Sequence, residues 1–422
     1  MNRTSKRWLA PAALSVAGVA VFTAGWCGYS SSFERGGFGS GGSAGSAAAA
    51  AAADLAAPPP APATISIANG ATGVSPDSAV TVTAPPGDQV GVVELVYRAE
   101  DVPGSFSADR RTWTSSGPLR AGVSYDLTAV TMDDAGGTRL QRSSFSTSRP
   151  DAALGIDLIS PADGSAVGVG QPIVLAFTRP IAAQDRAAME EALSVSAQPP
   201  QAGHWSWLSA ARVDYRPQNY WLPGTTVTAH LAINGLGDGH GHYATADHNL
   251  TFTVGRDQET TIDLRADKAT VRRSGQVVRT FAVTGGKPGL DTWGGTYAVI
   301  DKAPDVHMDS RTAGLGDEYD IPDVKWDVHL TYTGTYVHSA PWSEGAQGVR
   351  NISHGCVGAS PTNAQWFFAN TLPGDIVKVV NSPRQVAPGN GFADWQEAWP
   401  QWLAGSAAPQ HNVVTQRSND LL

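Results

Sequence analysis

The chain has 422 residues, of which 41% are hydrophobic and 16% charged. That balance suits folded domains, and the length predicts roughly two to four of them. A formal net charge of −9, with no basic cluster interleaved with aromatics, excludes a nucleic-acid-binding surface.

At the N-terminus, Arg3, Lys6 and Arg7 precede an apolar run from Trp8 to about Tyr29. The run reaches the roughly 20 residues that span a bilayer, and the charges before it hold the N-terminus inside. Residues 1–29 therefore read as an uncleaved signal-anchor, a cleaved signal peptide, or a lipoprotein signal modified at Cys27. Against the last stands Trp26, where a small residue is expected. Each reading places the rest of the chain outside the cytoplasm, membrane-anchored or secreted into the envelope. Residues 30–63 are Gly-, Ala- and Pro-rich, from Gly36-Gly37-Phe38-Gly39 to Pro58-Pro59-Pro60. Such a segment cannot bury a core and reads as a spacer.

Two β-rich segments follow, 64–149 and 151–255, joined at Ser148-Arg149-Pro150-Asp151. They look like a divergent repeat. Asn69-Gly70-Ala71-Thr72-Gly73 with Ala79-Val80-Thr81-Val82 parallels Pro161-Ala162-Asp163-Gly164-Ser165 with Pro172-Ile173-Val174-Leu175. Short alternating strands between Gly, Pro and Asp turns, repeated after about 100 residues, predict two tandem immunoglobulin-like β-sandwiches. The run Gly235 to His242 reads as a flexible hairpin loop. It offers a cation Asp238 and backbone carbonyls, fewer carboxylates than a good calcium loop supplies.

A third, β-rich unit is expected over 258–382. Its strands are read at Thr261–Leu264, Gly275–Val283, Trp326–Tyr332, a short one ending at His338, and Asp375–Val380. Ser360-Pro361 reads as N-cap and first position of a helix running through Trp366-Phe367-Phe368. The extension 383–422 carries Trp395, Trp399 and Trp402 at helical spacing, with Pro400 expected to interrupt a helix. These indoles are expected to pack on the third unit rather than bind sugar.

Cys356 is the one cysteine beyond the N-terminal apolar run, in Ser353-His354-Gly355-Cys356. It has no internal disulfide partner in the exported part of the chain. A thiol attacks as its thiolate, which imidazoles and backbone N–H groups favour, so one Cys with His338 and His354 predicts covalent catalysis. A zinc site needs three or four ligands, and Cys356, His338 and His354 supply three at most. No metal and no cofactor is expected. His329 lies within a strand and reads as structural. His307, beside Met308, lines a lid or is merely exposed.

His338, then fourteen residues, then Ser353-His354-Gly355-Cys356 resembles the active-site signature of the L,D-transpeptidases, the YkuD-type enzymes that cross-link peptidoglycan. Val337-His338-Ser339-Ala340-Pro341-Trp342-Ser343 and Ser360-Pro361-Thr362-Asn363 strengthen the likeness, and two sandwiches before a Trp-bearing tail resemble the actinobacterial members. The resemblance covers roughly residues 64–405 and implies a mainly β fold: two immunoglobulin-like sandwiches, a YkuD-type catalytic domain with a short helix after the cysteine, and the Trp-rich extension. It implies Cys356 as nucleophile, His338 as general base oriented by the Ser339 carbonyl, and N–H groups around His354, Gly355 and Cys356 for the oxyanion. His354 is implied to orient rather than to act as base. Met308 and Tyr319 match a mobile lid and Thr333-Gly334 a substrate-facing turn; Trp342, Ser353 and Gly358 are carried over as substrate-facing.

The implied partners are peptidoglycan stem peptides, a donor tetrapeptide and an acceptor amine, with carbapenem β-lactams as inhibitors and the membrane met through the N-terminal segment. The implied product is a 3→3 cross-link formed with release of D-Ala. A carboxypeptidase using water, and a non-catalytic wall-binding protein, are the alternatives. The family usually carries Asn or Arg where this chain has Gly358. A polar contact to substrate is therefore expected to be missing, and Asn at 358 to restore it.

Overall fold

The computed structural model describes residues 61–97, 100–149 and 152–408. The expected membrane segment, and the spacer up to residue 60, lie outside these. Among the described residues no helix is long and apolar enough to cross a membrane.

The first sandwich pairs a five-stranded with a four-stranded sheet. Its long antiparallel strands are Gln89–Tyr97, Ser124–Met132 and Thr138–Thr147. Along Ser124–Met132 the even–odd alternation turns Tyr125, Leu127 and Ala129 inward, where they meet Val80, Val82, Trp113 and Phe145. The second sandwich packs two four-stranded sheets around Trp205, Tyr215, Trp221 and Phe252. Each buried indole N–H there finds a carbonyl: Trp205 Nε1 donates to Leu193 at 3.1 Å and Trp221 Nε1 to Gln171 at 2.8 Å. In the Gly-rich loop, the Asp238 carboxylate accepts from His240 N and from His242 N and Nδ1, closing the loop on itself.

A nine-stranded sheet forms the third unit. In spatial order its strands are Gly295–Ala298, Ile376–Val380, Gln258–Asp263, Lys268–Arg273, Gln276–Thr284, Val357–Ala359, Thr335–Ser339, Asp320–Thr331 and Lys302–Asp309. The strand over Lys302–Asp309 was not expected from sequence. Helix Pro361–Ala369 buries Ala364 and Phe367 in the core of this sheet. Ser360 occupies the N-cap position with extended backbone, but its side chain makes no capping hydrogen bond.

Glycine decides how the second sandwich meets this unit. Gly168 N donates to the Pro373 carbonyl at 2.8 Å and Gly170 N to Gly374 at 2.9 Å. A Cβ on Gly168 would lie 2.2 Å from Asp375 N, and one on Gly170 would lie 2.1 Å from Ile376 Cδ1. At Gly168 backbone approaches backbone so closely that no other residue fits, and at Gly170 the Ile376 side chain fills the space.

Two expectations for the extension need correction. Pro400 does not break a helix but sits in the first turn of one, Trp399–Ala404, where its missing N–H costs no bond. The tryptophans also pack on the second sandwich, not on the third unit alone. Arg216 of that sandwich lies over the rings of Trp395, Trp399 and Trp402 at 4.7, 5.3 and 4.5 Å. Trp402 Nε1 donates to His204 at 2.8 Å and Trp395 Nε1 to Gly170 at 2.7 Å. On the other side, Thr296 N donates to Gln396 Oε1 at 3.1 Å. The extension straps both.

Candidate active site

Parallel pairing builds the site. Val337 lies opposite Val357, so His338 falls opposite Gly358 and Cys356 immediately precedes the paired stretch. Val337 and Val357 point into the core. By alternation His338, Cys356 and Gly358 share the other face. That face opens into a pocket of about 450 Å³ lined by Cys356, His338, Tyr319 and Trp342 among others. Met308, Thr333, Gly334, Ser353, His354, Gly355 and Gly358 also reach it. Ser339 does not; it acts through its backbone.

His338 is buried, and its Nδ1 lies 2.9 Å from the Ser339 carbonyl. A carbonyl only accepts, so Nδ1 is assigned the proton and Nε2 keeps its lone pair. Burial holds this imidazole below its ordinary pKa, so it rests neutral.

The thiol departs from expectation. Burial pushes Cys356 up to about 11, and the charge of Asp327 adds to that push against one backbone hydrogen bond from Tyr336. Sγ donates to the Gly334 carbonyl at 3.4 Å. The resting group is therefore a protonated thiol, not a thiolate, because desolvation outweighs the neighbouring donors. Attack on a carbonyl then requires a base.

The loop before Cys356 is held by Ser353, whose Oγ donates to the Cys356 carbonyl at 2.6 Å and accepts from Gly355 N at 3.1 Å. The Gly355 N–H is thus held by the Ser353 hydroxyl at rest. Gly355 itself sits at φ +130°, where a side chain would strain the backbone. His354 Nε2 lies 3.2 Å from Lys287 Nζ and 3.3 Å from Glu318 Oε2, and its ring is 5.0 Å from that of Tyr319. These contacts tie the Cys356 loop to the segment carrying Tyr319. Burial and the negative charge that forms at Cys356 raise the Tyr319 phenol above its ordinary pKa.

On the opposite wall, Asn390 pins the substrate-side turn: its Oδ1 accepts from Thr333 N at 3.1 Å and its Nδ2 donates to Thr333 Oγ1 at 3.0 Å. Trp342 is 57% exposed at the mouth, its ring 6.0 Å from His338. His329 is structural, bonded through Nε2 to the Thr331 carbonyl at 2.7 Å. His307 pairs with Asp320 at 2.6 Å and is exposed.

Gly358 is not a gap awaiting a side chain. A Cβ there would lie 2.9 Å from Ala340 Cβ, 3.2 Å from Thr284 Cγ2 and 3.4 Å from Ser343 Oγ. The expectation that Asn would restore a contact is therefore corrected: that space is filled from the neighbouring loop. Polar groups remain beside it, with Gln347 Nε2 donating to the Ala340 carbonyl at 3.0 Å and to Ser343 Oγ at 3.3 Å.

Sequence reasoning missed three features. Asp327 is fully buried, has no hydrogen-bond partner among the described residues, and is pushed up to about 7 by burial. Lys287 and Glu318 flank His354. Arg384 and Trp293 line the pocket wall from distant parts of the chain.

The chain is similar to known proteins. A family described as the L,D-transpeptidase catalytic domain matches residues 257–379, and one described as a bacterial Ig domain matches 71–237. L,D-transpeptidase 2 of Mycobacterium tuberculosis is 37% identical over 350 residues, 82% of this chain and 84% of that protein. L,D-transpeptidase 5 of the same species is 31% identical over 363 residues, 83% and 78% respectively. Among solved structures, LD transpeptidase LdtMt1 in complex with imipenem is 35% identical, covers 54% of this chain and 99% of its own, and superposes with a TM-score of 0.46.

Proposed function

The chain belongs to the L,D-transpeptidase family, and on that premise we propose that it cross-links peptidoglycan stems through a thioester on Cys356. The observation that carries the reading is the bond from His338 Nδ1 to the Ser339 carbonyl. It leaves Nε2 as a free base in the pocket that holds the one free thiol among the described residues.

His338 Nε2 takes the Cys356 proton as sulfur attacks the carbonyl carbon of the third stem residue. The tetrahedral intermediate collapses, the C–N bond to the terminal D-Ala breaks, and the imidazolium gives its proton to the departing amine. A thioester remains on Cys356. The side-chain amine of a neighbouring stem then attacks it and loses a proton to His338. The C–S bond breaks, the thiolate recovers the proton, and the new amide is a 3→3 cross-link. A neutral base of lowered pKa beside a thiol of raised pKa makes this transfer unfavourable at rest, so the proton moves with the attack rather than before it.

Carbapenems fit the same chemistry. Sulfur attacks the strained lactam carbonyl, the ring C–N bond opens, and nitrogen takes the proton from His338. The N-terminal apolar run supports an extracytoplasmic location beside the wall. Mass spectrometry of products from the purified protein and a disaccharide-tetrapeptide tests the reading: a dimer joined between two third residues supports it. A disaccharide-tripeptide alone would mean that water is the acceptor.

A further inference from the structure

Arg384 is an exposed cation laid against the wall of the Cys356 pocket. Its guanidinium carbon lies 3.3 Å from the centroid of the Trp293 ring, stacking distance for a planar cation on an indole. The loop that carries it is pinned to the Trp293 segment. Gly294 N donates to the Arg384 carbonyl at 2.6 Å, and Val386 N donates to the Gly294 carbonyl at 2.8 Å. Ser382 Oγ donates to the Thr292 carbonyl as well. A Cβ on Gly294 would meet Gln385 Nε2 at 2.9 Å and Ser382 Cβ at 3.0 Å, so the two segments are in close contact.

The charge of this group is unspent. Among the described residues no carboxylate pairs with Arg384, although the chain carries a net charge of −9. The neighbouring cation Lys287 is engaged by Glu318 and His354. The acid on the same wall, Asp291, accepts from Gly289 N within its own turn. A stacked guanidinium with a fixed plane and vacant donors suits a carboxylate, which it can hold through two parallel N–H bonds.

We propose that Arg384 is a specificity-determining residue that binds a carboxylate of the peptide donor, with Trp293 setting the plane of its donor fork. The inference rests on the reading that this pocket holds a stem peptide. A stem tetrapeptide offers carboxylates of one chemistry at several positions, including the second residue and the terminal D-Ala.

The test uses the full chain, its Arg384→Gln and Arg384→Lys variants, and disaccharide-tetrapeptide donors with a carboxamide placed at each carboxylate in turn. kcat and KM are measured on turnover, and Kd by calorimetry in the Cys356→Ala background. Arg384→Gln should raise KM and Kd for the fully acidic donor about tenfold, as loss of a charge-assisted bond does, with kcat within about twofold. Arg384→Lys should recover part of that loss. With one of the amidated donors the wild type and Arg384→Gln should converge, and that donor identifies the carboxylate. Equal KM and Kd for wild type and Arg384→Gln on the acidic donor would overturn the proposal, as would a loss that persists on every amidated donor. If no donor turns over but Kd still depends on Arg384, the transpeptidase reading falls and this one stands. Normal turnover without that dependence gives the reverse.

Discussion

The Cys356 thiol donates to the Gly334 carbonyl at 3.4 Å while His338 points its protonated Nδ1 at the Ser339 carbonyl, 2.9 Å away. Burial holds nucleophile and base both neutral, outweighing the Ser339 carbonyl, which favours the imidazolium. Attack by a neutral thiol then needs His338 to take its proton as sulfur meets the carbonyl. This differs from cysteine sites that rest as an ion pair, and it predicts slow reaction with small electrophiles.

Alkylation of Cys356 by iodoacetamide should therefore rise about tenfold per pH unit from pH 7 to 9, because the thiolate fraction grows by that factor below the pKa. Burial places that pKa at about 11, so no plateau is expected in this window. A plateau below pH 8 would show that the thiol ionises far more easily than the buried geometry allows.

His338→Ala should slow acylation by roughly 10²–10⁴, the usual worth of a general base, whereas His354→Gln should cost less because that ring tethers loops. The pH–rate profile separates the roles. Burial lowers the His338 pKa, so the wild-type acid limb should lie below the ordinary imidazole value and vanish in His338→Ala. Equal losses in the two variants, with the acid limb kept, would move the base elsewhere.

Gly358→Asn should destabilise the fold by about 1–3 kcal/mol, the cost of overpacking, and should not raise muropeptide turnover. The reason is the 2.9 Å approach of a Cβ to Ala340. Increased turnover at unchanged melting temperature would show that Ala340 and Ser343 yield readily.

Asp327 should make stability fall as pH rises. Its carboxyl is raised from 3.8 to about 7 by burial, with Asp305 pushing the same way and Lys325 opposing. The folded state therefore binds its proton more tightly than the unfolded state between those values, and the advantage is lost as pH climbs through about 7. Asp327→Asn cannot ionise, so its melting temperature relative to wild type should improve from pH 5 to pH 8. A constant difference across that range would mean that Asp327 is not the titrating group.

Much of this site was legible because its chemistry is local. Ser353-His354-Gly355-Cys356 is contiguous, His338 lies one residue before the end of a short strand that the Thr333-Gly334 turn announces, and Ser360-Pro361 marks a helix start. What was not legible depends on distant segments meeting. Trp293 and Arg384 approach through loops that no period announces. Alternation puts Asp327 on the polar face of its strand, and nothing local says that this face is buried. Gly358 looked like a missing contact until Ala340, brought alongside by parallel pairing, proved to fill the space. The thiol misled for the same reason: its neighbours in sequence favour the anion, and its burial does not.

Intact-protein mass spectrometry during turnover tests the central claim most directly. Wild type mixed with a disaccharide-tetrapeptide should show one adduct equal to the donor less D-Ala, mapped by peptide digestion to Cys356, and a carbapenem should give one adduct at the same residue. Cys356→Ala, which removes the nucleophile and little volume, should show neither adduct and form no cross-linked dimer. Dimer formed by Cys356→Ala, or an adduct on any other residue, would contradict the thioester mechanism.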